Sequence, residues 1–321
     1  MKKLIKAREQ MIQDMLAGLD IQDDTVTVIE DTVVVRAQQK QTGVAIVSGG
    51  GSGHEPAHAG YVAEGMLDAA VCGEIFTSPT PDKILSAIKS VNTGDGVLLI
   101  VKNYAGDVMN FEMAQEMAEM EDIPVEMVVA RDDVAVSNVE QRRGVAGTVL
   151  VHKYAGYLAE QGQSLSEIKD QVTAFNEGIK SIGMALTAPY VPTTEQYGFD
   201  IAEDEMELGI GIHGERGISK EPMQTVDEVV QRLLDTVLKE VDAKQVVVMV
   251  NGMGGTPLSE LNIVTKYTAE LLDQYEIKVQ YWFVGDYMTS LDMQGVSLTL
   301  APVTDDQLTA LTARSESQYF K

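Results

Sequence analysis

The run Gly96-Val-Leu-Leu-Ile-Val101 restricts this chain more than any other segment, because its apolar stretch is short, unbroken and ends directly against Lys102-Asn-Tyr. Such a run, bounded by turn residues, reads as a strand buried on both faces, the kind found inside a parallel sheet. Val44-Ala-Ile-Val47, Asp68 to Gly73, Val125 to Ala130, Gln245 to Val250 and Val279 to Val284 repeat the pattern. Helical patterns alternate with them: Pro56–Gly65, Pro81–Val91 behind a Thr80 cap, Asn110–Met120, Gly144–Gln161, Leu165–Ile182, Val226–Val241 and Leu258–Tyr275. An amphipathic helix over Met1–Leu19 precedes them, Glu207–His213 reads as a glycine-containing strand, and Val296–Leu300 reads as a late edge strand. Alternation of this kind predicts an α/β fold with mainly parallel central sheets covered by helices. At 321 residues the chain divides into two α/β domains, 1–185 and 186–321, with the turn-rich stretch Pro189–Gly198 at the crossing. Ligands in such folds gather at the carboxyl ends of strands, so the site is expected there, near the cleft.

Composition narrows the partners. With 24 basic and 49 acidic residues the net charge is −25, which repels nucleic acid and anionic membrane surfaces. No apolar run reaches the ~20 residues that span a bilayer, and Glu9-Gln10 follows the basic start where a signal peptide would turn apolar, so a cytoplasmic chain is expected. The single cysteine, Cys72 in Ala69-Ala-Val-Cys, excludes an internal disulfide and reads as a small buried hydrophobe.

Three strand ends carry the chemistry. Ser48-Gly-Gly-Gly-Ser-Gly-His54-Glu-Pro-Ala-His58 is glycine-dense, yet it has neither the Walker lysine nor the third glycine of a dinucleotide fingerprint. It reads either as a close backbone approach to a small ligand or as a tight packing turn. His54 fits a general base, a donor to a hydroxylated ligand or a structural histidine. His58, four residues on, would make a metal pair with it on a helix, but no third nitrogen or thiolate lies near, so no metal is expected. His152, in Val151-His-Lys153, reads as a solvated or capping residue. Asp107, beyond Lys102-Asn-Tyr, is either a general base or a helix cap. His213, in Gly209-Ile-Gly-Ile-His-Gly-Glu215, is accessible between glycines, has Glu215 close enough to orient it, and is a candidate nucleophile towards a carbonyl carbon.

The ordered set Gly-Gly-Gly-Ser-Gly-His54-Glu-Pro, Gly73-Glu-Ile-Phe-Thr-Ser-Pro-Thr-Pro-Asp82, Lys102-Asn-Tyr, Gly106-Asp107, Arg142-Arg-Gly-Val-Ala-Gly-Thr-Val-Leu150, Gly209 to Glu215, Gly254-Gly-Thr-Pro-Leu258 and Thr289-Ser-Leu-Asp292 resembles the substrate-binding subunits of dihydroxyacetone kinases. The resemblance covers nearly the whole chain. It implies a homodimer of two-domain protomers and dihydroxyacetone held covalently as a hemiaminal on His213. It implies acid/base and hydrogen-bonding roles for His54 and Asp107, and ligand contacts from the Gly51 backbone, Ser78 and Lys102. Because the chain stops at Lys321, without the nucleotide-binding domain of ATP-using relatives, it resembles the bacterial form that serves glycerol metabolism through the phosphotransferase system. No cofactor is expected on this chain; ADP with magnesium is expected on a separate partner subunit. Some positions depart from the family pattern: the loop 137–141 is shorter, Ala105 replaces a usual threonine and Arg216 a usual proline. The family also includes paralogues that bind dihydroxyacetone and act as co-activators of a transcription regulator, and His213 alone does not separate the two.

Overall fold

A computed structural model describes residues 2–320. In chain order its first half contains α1 (Met11–Gln22), β1 (Val26–Ile29), β2 (Val33–Arg36), β3 (Ala45–Ser52), β4 (Ala69–Ile75), α2 (Pro81–Val91), β5 (Val97–Lys102), α3 (Ala105–Glu119), β6 (Val125–Ala130), α4 (Gly147–Glu160) and α5 (Leu165–Gly178). The six strands form one sheet in the order β1-β2-β4-β3-β5-β6. The four strands β4, β3, β5 and β6 are parallel, while β1 and β2 add an antiparallel margin. Residues alternate across the sheet. Ala45, Val47, Val97, Leu99 and Val101 pack with Ile84, Ala87 and Ile88 of α2 and Phe111 and Ala114 of α3. Burying one such aliphatic side chain contributes about 1.5–3 kcal/mol, so this face holds the strand ends in place. Ser48 points to the opposite face, where it meets His152 of α4.

The second half contains β7 (Lys180–Ala185), a small ribbon of β8 (Tyr190–Val191) and β9 (Gln196–Tyr197), then β10 (Glu205–Leu208), β11 (Ser219–Pro222), α6 (Val226–Val237), β12 (Gln245–Gly252), α7 (Leu258–Gln274), β13 (Lys278–Gly285), β14 (Gly295–Pro302) and α8 (Asp305–Thr312). Its sheet has the order β11-β10-β7-β14-β12-β13. Only β12 and β13, joined through α7, are parallel; every other pairing is antiparallel. The expectation of mainly parallel sheets therefore holds for the first sheet and is corrected for the second. Parallel neighbours need a long crossover, usually a helix, and no helix lies between β7, β10 and β11.

Contacts group into two compact units. One takes Thr148–Phe175 together with the chain before Arg131 and after Thr312; the other takes Arg131–Gly147 and Asn176–Thr312. A single boundary at 185/186 implies one crossing, whereas the chain crosses several times. The reason is pairing: β7 lies beside β14, and the tail returns to the first unit through Glu316 N donating to Glu64 O at 3.1 Å.

Further expectations change. The stretch 56–65 is not an α-helix but holds one 3-10 turn, Ala59–Tyr61, since Pro56 and glycines at 60 and 65 oppose a longer helix. The stretch read as one helix over Leu165–Ile182 is α5 followed by a strand, β7. β14 is not an edge strand but lies between β7 and β12. Its Ser297 and Thr299 are buried because Asn251 Nδ2 donates to Ser297 Oγ at 3.1 Å and Thr299 Oγ1 shares a 2.7 Å hydrogen bond with Ser181 Oγ. Among the described residues no helix is long and apolar enough to cross a membrane.

Candidate active site

The expected strand Val44–Val47 continues through the glycines to Ser52, so Gly49, Gly50 and Gly51 belong to β3 itself. A β-carbon on Gly49 would overlap Val71 O of β4, and one on Gly51 would come within 2.6 Å of Thr77 N and 2.8 Å of Phe76. The glycines let β3 press against its neighbour and against the turn at Phe76–Thr77. A β-carbon on Gly50 would take the place of the Lys102 ammonium. The glycine run thus clears space for a cation.

That cation ends β5. Lys102 is completely buried, and its Nζ donates to Asp107 Oδ2 at 3.3 Å, to His58 Nε2 at 3.0 Å and towards Gly49 O at 3.5 Å. Asp107 sits in the first turn of α3, where the exposed N–H groups of a helix start favour a carboxylate, and Ser78 Oγ donates to its Oδ1. An ion pair this deep costs several kcal/mol of desolvation per charge, and the surrounding hydrogen bonds offset it. His54, also fully buried, stacks on Phe76 with ring centroids 5.2 Å apart. Behind Lys102, His58 Nδ1 approaches Ser48 Oγ at 3.4 Å, and His152 Nε2 approaches the same oxygen at 3.1 Å. Burial, with the Lys102 charge beside it, pushes His58 well below the ordinary histidine range and His152 down to about 3.

His213 belongs to the other unit. The expected strand over Glu207–His213 stops at Leu208, because Gly209 and Gly214 take φ of +78° and +77°, a left-handed conformation that breaks the ladder. The histidine therefore stands in a turn, with its side chain 18% exposed. Glu215 holds it twice: Oε2 accepts from His213 N at 3.0 Å, and Oε1 from Nδ1 at 3.0 Å. Burial alone would raise the Glu215 carboxyl, but the hydrogen bond and charge of His213, with Arg143 nearby, hold it at about 2. Arg143 in turn donates to Gly209 O at 2.8 Å and to Asp133 Oδ2 at 2.7 Å. A β-carbon on Gly211 would overlap Glu215 Oε2 and lie 2.7 Å from Arg143 Nη1. With Nδ1–H given to Glu215, the lone pair is on Nε2, the atom a nucleophilic imidazole uses.

The structure thus brings Gly51, His54, Ser78, Lys102 and Asp107 together at the carboxyl end of the parallel sheet. The His54–His58 metal pair does not form, because the segment is not helical and His58 is engaged by Lys102 and Ser48. His152 is not solvated or capping but completely buried. A signal for that was available: Val149-Leu-Val-His-Lys-Tyr-Ala-Gly is apolar on every side of α4, the pattern of a buried helix. Asp132 and Asp133, at the end of β6, serve the loop that follows. Asp132 accepts from Val145 N and Gly147 N at 2.9 Å each, and Asp133 binds Arg143. Cys72 is buried as expected, its thiol pushed up to about 12 by burial.

Known proteins carry the same arrangement of sequence and fold. The Dak1 domain model matches residues 17–319. The dihydroxyacetone-binding subunit DhaK of the PTS-dependent dihydroxyacetone kinase of Lactococcus lactis is 49% identical over 314 residues, 95% of each chain. Among solved structures, the dihydroxyacetone kinase operon co-activator Dha-DhaQ superposes with a TM-score of 0.93 at 37% identity, over 96% of this chain and 98% of that one. The dihydroxyacetone kinase of C. freundii superposes with a TM-score of 0.93 at 35% identity, over 99% of this chain and 60% of that one. With near-complete coverage at these identities, the chain belongs to the Dak1 family of dihydroxyacetone kinase proteins.

Proposed function

We propose that this chain is the dihydroxyacetone-binding subunit of a phosphotransferase-system-dependent dihydroxyacetone kinase. The observation that carries this reading is the end-to-end 49% identity with the Lactococcus lactis kinase subunit. The chemistry of the two histidine environments supports it. In this reading, His213 Nε2 attacks the carbonyl carbon of dihydroxyacetone. A C–N bond forms, the C=O π pair moves to oxygen, which takes a proton from solvent, and the positive charge left on the ring faces the Glu215 carboxylate at Nδ1. Glycerol, which lacks a carbonyl, is refused by bond formation rather than by shape. Asp107 takes the proton from the terminal hydroxyl as its oxygen attacks the incoming phosphoryl group, and Lys102, Ser78, His54 and the Gly51 backbone orient the triose. Fixing a small flexible ketone this way converts the transfer into a nearly intramolecular step, for which positioning alone supplies up to about 7–11 kcal/mol of the barrier. The phosphate arrives on ADP with magnesium held by a separate subunit, and the chain acts as a cytoplasmic homodimer.

A second reading, a dihydroxyacetone-binding co-activator, is favoured by the 0.93 TM-score and 98% coverage of the operon co-activator. One assay separates the two. The protein is mixed with its genomic partner subunits, the phosphate donor and dihydroxyacetone, and dihydroxyacetone phosphate is measured with intact mass on the same sample. Product establishes the kinase subunit. Adduct without product, beside an authentic subunit that turns over with the same partners, establishes the co-activator.

A further inference from the structure

The hydrogen bonds around Ser48 leave one consistent assignment of protons. Ile100 O can only accept, so at 2.7 Å it takes the single Ser48 hydroxyl proton. Ser48 Oγ is then purely an acceptor for its other neighbours, His58 Nδ1 at 3.4 Å and His152 Nε2 at 3.1 Å. His58 must carry its proton on Nδ1 and His152 on Nε2. The Nε2 of His58 is thereby a bare lone pair, 3.0 Å from Lys102 Nζ. Among the described residues the unprotonated Nδ1 of His152 has no hydrogen-bond partner, which fits a lone pair better than an N–H facing the packed interior. Burial and the Lys102 charge, which keep both rings neutral, agree with this assignment.

An ammonium has three N–H donors. Two of those on Lys102 reach His58 and Asp107, and the third reaches Gly49 O only at 3.5 Å, the outer limit of a hydrogen bond. We propose that His58, its tautomer fixed by Ser48 and backed by His152, is a positioning residue: by accepting from Lys102 it turns the ammonium so that its weakly used third N–H is presented to a triose oxygen. This assignment deepens the reading of the chain as a dihydroxyacetone-binding subunit and rests on it. His58 touches no substrate in this account; it acts through Lys102.

The test has two arms on the full-length protein. Long-range proton–nitrogen NMR of histidine-labelled protein near neutral pH, with His58→Gln and His152→Gln used for assignment, reads the tautomers without any ligand. The proposal requires His58 neutral with the proton on Nδ1 and His152 neutral with it on Nε2. A protonated Nε2 on His58, in either a neutral or a charged ring, overturns it. In the second arm dihydroxyacetone binding is compared between H58L, which has no acceptor, and H58Q, whose amide oxygen can replace Nε2. H58L should bind roughly tenfold or more weakly, the effect of one hydrogen bond to a charged group, with H58Q restoring most of the loss while kcat changes little in both. Equal binding by H58L and H58Q, with both chains folded, also overturns it. If the unsubstituted chain binds no dihydroxyacetone, the functional reading falls, and the NMR arm still decides the role of His58.

Discussion

The histidines of the two units are held in opposite ways. His58 and His152 are sealed in the first unit, neutral and hydrogen-bonded through Ser48. His213 in the second unit is part-exposed in a glycine turn, with a carboxylate on Nδ1. The first pair lies behind the Lys102–Asp107 ion pair at the end of the parallel sheet, where packing keeps those charges in one orientation. The turn after β10 gives the second an accessible lone pair, which suits a nucleophile. Burial keeps an imidazole neutral and its donor and acceptor nitrogens fixed, while exposure beside a carboxylate turns it into a base or nucleophile.

Substitutions at the reactive centres should produce the largest effects. His213→Ala should abolish the dihydroxyacetone adduct in intact mass spectra; an adduct of full mass in that variant would falsify the covalent role. Asp107→Asn should keep the adduct and lower kcat by about 10²–10⁴-fold, the range for a lost general base. Turnover within a few-fold of the unsubstituted chain would move the base elsewhere. Glu215→Gln should weaken the adduct about ten- to a hundredfold, as expected when a charged hydrogen-bond partner becomes neutral. An unchanged adduct equilibrium would erase the contrast between His213 and an ordinary exposed imidazole.

The sealed side of the comparison predicts changes in stability. Gly49→Ala drives a β-carbon into Val71 O and should cost about 1–3 kcal/mol in denaturant unfolding, the usual range for overpacking; a neutral result would mean that β3 and β4 can separate. The last effect comes from protons. His152 titrates at about 3 in the folded chain and near 6.5 when unfolded, so between these values the unfolded chain takes up a proton that the folded chain refuses. Stability should therefore be fully present above pH 6.5 and fall as pH drops towards 3, by about 1.4 kcal/mol per pH unit for this one group. His152→Asn should flatten that slope between pH 6.5 and 5. A slope unaffected by the substitution would show that His152 is not sealed.

Much of the first sheet was legible, because β3, β5 and β6 are short apolar runs whose burial follows from composition alone. The strands β1 and β11 were not, since they are four residues long, only partly buried and carry polar residues. The strand hidden in the apparent helix Leu165–Ile182 went unread because Lys180-Ser-Ile-Gly-Met-Ala is defined by its partner β14, more than a hundred residues later. At the site, Asp107, Lys102, His54 and His213 could be named from glycine-rich strand ends. The role of His58 and the burial of His152 could not, because Ser48 and His152 are 104 residues apart and no local pattern pairs them.

By itself the sequence determined where buried strands end and which side chains stand at those ends, since these depend on local hydrophobicity and on the freedom of glycine. The tertiary structure alone decided the direction of the second sheet's strands, the return of the tail to the first unit, and which hydrogen-bond partners His58 and His152 meet. Those properties depend on long-range pairing and on which acceptor has a lone pair to spare, and neither is written in the order of neighbouring residues.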